Sequence, residues 1–77
     1  MAATERVEYR VPGLNEPISH YTDAVRFGNL LFISGIGPVD GDFNLVGGDD
    51  AAAQTRATIE NLKTILEACG SSLEDVV

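Results

Sequence analysis

The alternation of apolar and polar residues predicts three strands in the first half of the chain. Residues 7–11 alternate apolar with charged side chains, as a half-exposed strand does. Alternation returns over 21–27 and is followed, after Gly28-Asn29, by an apolar run that ends near 34. Two strand-like runs separated by Gly-Asn favour a hairpin with a type II′ turn, whose first central position suits glycine. We therefore expect strands at about 7–11, 21–27 and 30–34.

Three shorter patterns add to this sheet. Residues 30–33 are apolar on both faces, which predicts a central strand covered on both sides. Residues 43–46 follow an Asp-Gly-Asp turn and suggest a short edge strand, and Val76-Val77 looks like the start of another strand.

The clearest periodicity predicts an amphipathic helix over about 50–69. Apolar side chains recur every three or four residues and form one stripe (Ile59, Leu62, Leu66 and Cys69). Charged side chains lie opposite, at spacings that allow (i, i+4) pairs (Arg56, Glu60, Lys63 and Glu67). Asp49 or Asp50 suits the N-cap, and Gly70 is a typical C-terminal stop.

Composition limits the partners and the kinds of site. Twelve acids against five bases give a net charge of −7, and the bases are dispersed, which argues against nucleic-acid binding. No apolar run is long enough to span a membrane. One cysteine and one histidine exclude an intrachain disulfide and a Cys/His zinc site, and the unpaired cysteine points to the cytoplasm.

The sequence contains no strong generic motif for catalysis or metal binding. Cys69 lies on the apolar stripe, which favours a buried structural thiol over a nucleophile. His20 lies in a predicted loop and lacks the partners of a catalytic triad, so a structural or exposed histidine is favoured over a pocket role. Tyr21 suits packing and a pocket about equally. The paired aspartates near 40 and 50 lack the spacing of a calcium loop.

Taken together, these segments resemble the RidA/YjgF/UK114 family. The likeness runs in unbroken register from about Pro17 to Val77 and rests on four runs and one glutamine, namely 21–25 (YTDAV), 28–35 (GNLLFISG), Gln54, 61–70 (NLKTILEACG) and 73–77 (LEDVV). The resemblance implies an α+β fold related to chorismate mutase, homotrimers with ligand clefts between subunits, and no metal or organic cofactor.

The resemblance also implies an activity and a set of binding residues. Well-known members hydrolyse reactive enamines and imines, such as 2-aminoacrylate and 2-iminobutyrate, to 2-keto acids and ammonia. Carried over position by position, Tyr21 matches the pocket tyrosine, and Ser34 and Gly35 match a Ser-Gly pair that faces the ligand. A small imine, enamine or carboxylate is the expected ligand, with neither nucleic acid nor membrane as partner.

Departures from the family pattern shape the expectation. Ser19-His20 stands where many members have Gly-Pro, and Ile36 where many have Gln. The family's carboxylate-binding arginine, in a Pro-Ala-Arg-Ser motif, and its late glutamate have no counterpart in residues 1–77 and would lie beyond Val77. We therefore expect a single incomplete domain, the N-terminal portion of a longer protein, with no catalytic residue of its own.

Three other functions are weighed beside imine hydrolysis. These are a non-catalytic trimeric binding or regulatory module, a catabolic deaminase of the same family acting on 2-aminomuconate, and an endoribonuclease, which the acidic charge disfavours.

Overall fold

The computed structural model describes residues 5–77, in which a small antiparallel sheet precedes one long helix. The strands are β1 (Arg6–Tyr9), β2 (Ala24–Phe27) and β3 (Leu30–Ile33), and the helix is α1 (Ala51–Ala68). A single 3₁₀ turn, Leu73–Asp75, follows the helix. The order in the sheet is β1-β2-β3. The chain thus has the α+β architecture that the sequence predicts.

The β2–β3 hairpin has the turn that Gly28-Asn29 predicts. Phe27 pairs with Leu30, so two residues form the loop. Gly28 has a φ of 64°, and Asn29 is not among the residues of positive φ. A positive φ at the first central position alone is the type II′ pattern. The register places Ala24 opposite Ile33, which puts both on the helix side of the sheet.

The core lies between this sheet face and the C-terminal half of α1. Its buried members are Val11, Ala24, Ile65 and Cys69, and apolar side chains from the strands and loops pack around them. Ala24, in the central strand, is fully buried within this cluster. Of the apolar helix stripe predicted from the sequence, Leu66 and Cys69 are buried, whereas Ile65 is buried without having been predicted. Ile59 is half-exposed instead of buried.

Both ends of α1 are capped by the residues that the sequence suggests. The Asp50 carboxylate accepts a hydrogen bond from the Ala52 amide at 3.0 Å. At the other end Gly70 has a φ of 81°, and the Ser71 amide donates to the Leu66 carbonyl at 2.8 Å. This is a Schellman ending, which glycine favours because its φ is positive there.

Arg26 of β2 ties the sheet to the end of the helix. Its Nη2 donates to the Cys69 carbonyl oxygen at 2.6 Å, and its Nε donates to the Tyr9 hydroxyl at 3.1 Å. The last turn of α1 carries no basic residue of its own, so Arg26 supplies the positive charge that a helix C-terminus favours. The hydrogen bond with Tyr9 is the main reason that the pKa of Arg26 lies above its ordinary value.

One strand prediction is wrong, that of an edge strand over 43–46, and two stay predictions, namely the cover on both faces of β3 and a strand that starts near Val76. β3 is an edge strand of the sheet formed by residues 5–77, and Leu30 and Phe32 are each 57% exposed on its open face. Residues 43–46 make only an isolated bridge between Val39 and Leu45. Val76 has extended backbone angles without ladder partners in the described chain. An apolar run predicts cover on both faces, yet strand pairing depends on neighbours distant in sequence.

The predicted strand limits and charge pairs also change. β2 begins at Ala24, so Tyr21 lies in the loop before the strand and not within it. The three ion pairs of the described chain join Arg6 to Glu8 and Arg10 to both Glu16 and Asp23, so none lies on α1. The helix charges are solvated, and exposed pairs of that kind contribute little to stability.

Truncation of Ile65 tests the position of the core. Ile65 is 4% exposed, and Ile65→Ala is expected to lower the free energy of unfolding by about 3 kcal/mol because it leaves a cavity beneath the sheet. The measurement is urea unfolding of the protein expressed from its complete coding sequence (hereafter the complete protein). Lys63→Ala, on the exposed helix face, is the control and should change stability by less than about 0.5 kcal/mol. Equal effects of the two substitutions would contradict this core.

Candidate functional site

A cavity of about 240 Å³ lies where the end of β3 meets the loops around it. Its polar lining comes from five side chains, namely Asn15, Tyr21, Asp23, Ser34 and Asn61. Its apolar lining also comes from five, namely Leu14, Ile36, Val39, Phe43 and Ile65. Gly35 and Gly37 complete the wall. A concave site of mixed lining and this size suits a small molecule and not a polymer.

Asp23 is the buried charged residue of the cavity. Its Oδ2 accepts hydrogen bonds from the Val11 amide at 2.7 Å and from the Arg10 guanidinium. Arg10 also pairs with Glu16 at 3.1 Å. The Asp23 amide donates to the Tyr9 carbonyl, and its carbonyl accepts from the Ser34 amide, each at 3.1 Å. One residue thereby joins the ends of β1 and β3 to the loop that carries Leu14 and Asn15.

Ser34 extends the ladder of β3 and turns its hydroxyl back into the protein. The hydroxyl donates to the Thr22 carbonyl at 2.5 Å. A serine hydroxyl has one proton and two lone pairs, so Ser34 meets a ligand as a hydrogen-bond acceptor. It therefore suits an N–H or O–H group of a ligand.

The Gly35 amide offers the complementary hydrogen-bond donor. Because the Ser34 amide points towards β2, the next amide along an extended chain points to the free edge of the sheet. Within residues 5–77 no acceptor takes this N–H. Gly35 has no Cβ, and no other group lies within 4 Å of the position that a Cβ would take. A carboxylate or carbonyl oxygen is the group that this amide suits.

Asn61 holds the far wall of the cavity in place. Its side-chain amide lies on α1 and donates to the carbonyl oxygens of Gly37 and Val39, at 3.0 and 2.9 Å. These bonds fix the glycine-containing loop against the helix. This role was not predicted from the sequence. An asparagine within a helix is nevertheless a signal, because its helix propensity is low.

A tight turn over 40–44 brings Phe43 to the cavity. The Asp40 Oδ1 accepts hydrogen bonds from the amides of Asp42 and Asn44, each at 2.9 Å. The Phe43 amide donates to the Asp40 carbonyl at 3.0 Å. The bond from the Asn44 amide is the main reason that the pKa of Asp40 is lowered from its ordinary value of 3.8. The turn is thus held by an ionised aspartate.

The structure brings the three predicted binding residues to one cavity. Tyr21, Ser34 and Gly35 all line it. The Tyr21 ring is about two-fifths exposed, so of its two predicted environments it has the pocket and not the core. His20 is exposed and does not line the cavity. Cys69 is buried in the core, and burial raises the pKa of its thiol, which disfavours the thiolate that a nucleophile needs.

The described residues contain neither a cluster of metal ligands nor a membrane-spanning helix. Between Glu5 and Val77, no three side chains of His, Cys, Asp or Glu converge in a manner that could hold a metal ion. In the same residues no helix has the length and apolar character needed to cross a membrane.

The fold and site define a class, an α+β protein with a small cavity at the end of an antiparallel sheet. A search of family models matches residues 13–77 to the family described as endoribonuclease L-PSP. The chain is 45% identical over 62 residues to a RutC family protein of Pyrococcus horikoshii. It is 42% identical over 64 residues to the 3-aminoacrylate deaminase RutC of Acinetobacter baylyi.

A solved structure shares the fold. The crystal structure of a yeast protein, YEO7, superposes with a TM-score of 0.87 at 34% identity, covering 95% of this chain and 58% of that one. The chain belongs to the endoribonuclease L-PSP family, which is the RidA/YjgF/UK114 family identified from its motifs. It spans about half the length of the curated relatives it matches, 49% of the Pyrococcus protein and 51% of the Acinetobacter protein.

Removal of the Asp23 carboxylate tests its place at the junction. Asp23→Ala leaves Arg10 without this partner and the buried Val11 amide without an acceptor. We expect the complete protein to lose about 2 kcal/mol of unfolding free energy. Asp23→Asn keeps an oxygen for Val11 and should cost about half as much. Asp42→Ala, at an exposed position of the 40–44 turn, is the control. Asp23→Ala no more harmful than this control would contradict the assignment.

Proposed function

We propose that the complete protein hydrolyses reactive enamines and imines of the 2-aminoacrylate and 2-iminobutyrate type to 2-keto acids and ammonia. The observation that carries the proposal is the cavity that gathers Tyr21, Ser34 and Gly35 in a chain of this family. Similarity to a protein named 3-aminoacrylate deaminase supports the reaction class. The single buried cysteine is consistent with a cytoplasmic site of action.

The groups available in the cavity match the two ends of such a substrate. A 2-imino acid carries a carboxylate, which accepts hydrogen bonds, and an imine N–H, which donates one. In our proposal the Gly35 amide binds a carboxylate oxygen, and the Ser34 hydroxyl accepts from the nitrogen. Tyr21 closes one side of the cavity. Fixing both ends orients the imine carbon towards a water molecule, which is the main requirement for its hydrolysis.

The remaining steps of hydrolysis need groups that we assign to residues outside 5–77. Water adds to the imine carbon, a proton reaches the nitrogen, and the resulting carbinolamine expels ammonia to leave the keto group. The described cavity offers binding groups and a buried Asp23 already occupied by Arg10 and Val11. An arginine for the carboxylate and a glutamate for the water are the expected additions, on the resemblance given above.

RNA cleavage is a weaker proposal, although the family is described as endoribonuclease L-PSP. Twelve acids against five bases produce a field that repels phosphates. Proteins that bind single-stranded RNA combine basic grooves with aromatic platforms. The charge therefore favours a small substrate.

The open face of the sheet supports assembly into the expected homotrimer. Val25, Phe27, Leu30 and Phe32 lie on the face turned away from α1, and the last three are about half-exposed or more. An apolar surface of this kind is typical of an interface between subunits. In our proposal copies of the same chain cover it and place neighbouring residues beside the cavity.

The rate of imine loss tests the proposed reaction. An L-amino acid oxidase acting on 2-aminobutyrate supplies 2-iminobutyrate, and the loss of imine is followed with and without the complete protein. We expect acceleration over buffer, and Ser34→Ala should lower kcat/KM by about tenfold because one hydrogen bond to the substrate is lost. His20→Ala, outside the cavity, should leave kcat/KM unchanged.

Other results would favour the alternatives. Binding of 2-oxobutyrate without any acceleration would contradict the deaminase and favour a binding module. Turnover of 2-aminomuconate alone would place the protein among the catabolic deaminases of the family.

Sedimentation velocity tests the proposed assembly. The complete protein is expected to sediment as a trimer, and Phe32→Glu should dissociate it because a charge would be buried at the sheet interface. Thr64→Glu adds the same charge on the exposed face of α1 and should leave the trimer intact. If the unsubstituted protein sediments as a compact monomer, the proposed trimer is contradicted.

A further inference from the structure

Phe43 has a backbone conformation that its side chain does not favour. It is the one non-glycine residue with a positive φ among residues 5–77, at 64°. A Cβ crowds the following carbonyl in this left-handed region, so glycine is the residue ordinarily found there. Strained positions persist where the surrounding structure fixes them, and they concentrate at functional sites.

The surrounding turn explains how this conformation is held. Asp40 accepts hydrogen bonds from three backbone amides of the turn, two at its Oδ1 and one from Phe43 at its carbonyl oxygen. The Asp40 amide donates in turn to the Asn44 carbonyl at 3.0 Å. Four bonds thus fix the backbone of residues 40–44 whatever side chain follows Asp42. A glycine would satisfy the same turn without strain, so the turn itself gives no reason for an aromatic side chain.

The position of the side chain supplies a reason. Phe43 lines the cavity together with Leu14, Ile36 and Val39. Its ring is 49% exposed, so it is not needed to fill the core. The polar groups that match a substrate's carboxylate and nitrogen lie elsewhere in the lining, at Ser34 and Gly35. The apolar wall is left for the hydrocarbon part of the substrate.

We propose that Phe43 is a specificity-determining residue, which limits the size of the hydrocarbon side chain that the cavity accepts. The inference rests on the proposed function, since it names which imines the same site takes. With the ring in place, imines with a side chain of one or two carbons fit, and branched or aromatic imines are excluded. The turn over 40–44 places the ring beside the ligand, and the strained backbone of Phe43 is the cost of that placement.

Two substitutions separate the ring from the strain. Phe43→Ala removes the ring and keeps a Cβ at positive φ, whereas Phe43→Gly removes both. Leu45→Ala is the matched control, because Leu45 is an exposed apolar residue near the same turn that does not line the cavity. Thermal unfolding of the complete protein should show a higher Tm for Phe43→Gly than for Phe43→Ala.

An L-amino acid oxidase generates two imines, one from leucine and 2-iminobutyrate from 2-aminobutyrate. The test is the kcat/KM for the leucine-derived imine divided by the kcat/KM for 2-iminobutyrate. We expect Phe43→Ala and Phe43→Gly each to raise this ratio by at least about tenfold, in the range that hydrophobic pockets achieve. Leu45→Ala should leave the ratio within about twofold of the unsubstituted protein. A change in stability alone would alter both rates together and leave the ratio unchanged.

Failure of the inference and failure of the proposed function give different results. If 2-iminobutyrate is hydrolysed but neither variant changes the ratio, Phe43 does not set specificity and the deaminase proposal stands. If no imine is hydrolysed, titration calorimetry compares binding of 4-methyl-2-oxopentanoate with that of 2-oxobutyrate. A tenfold change in the ratio of Kd values on removal of the ring then supports the role of Phe43 in the cavity. An unchanged ratio, or no binding of either keto acid, overturns it.

Discussion

The buried carboxylate of Asp23 is the contact on which the arrangement of the site depends. It lies where the central strand begins and accepts hydrogen bonds from Val11 and Arg10. Its own backbone bonds to the ends of β1 and β3. A buried carboxylate is costly unless its oxygens are satisfied, so these groups must stay together in the folded chain. These bonds set the cavity wall beside Ser34, the residue that follows β3.

The features predicted best from the sequence depend on neighbours along the chain. The Gly28 turn, the Asp50 N-cap and the Gly70 ending are each decided within a few residues, by a positive φ or by a side chain that meets a free amide. The candidate binding residues Tyr21, Ser34 and Gly35 came from a motif match and not from geometry. That the three share one cavity is new information from the fold.

The features that the sequence could not give depend on distant partners. β3 is apolar on both faces, which led to a central strand, but the pattern cannot say which strands pair with it. Asn61 and Asp23 are polar residues whose partners lie 12 to 24 positions away, so no local pattern identifies them as supports of the cavity. The left-handed backbone of Phe43 could not be predicted, because the sequence has an aromatic residue where such a turn ordinarily has glycine.

In our proposal the end of β3 and its flanking loops form a wall of a site for small 2-imino and 2-keto acids. The decisive experiment is a crystal structure of the complete protein with bound 2-oxobutyrate. We expect the keto acid in the cavity lined by Tyr21 and Ser34, with a carboxylate oxygen about 3 Å from the Gly35 amide nitrogen. A keto acid bound elsewhere, with this cavity empty, would overturn the proposed site.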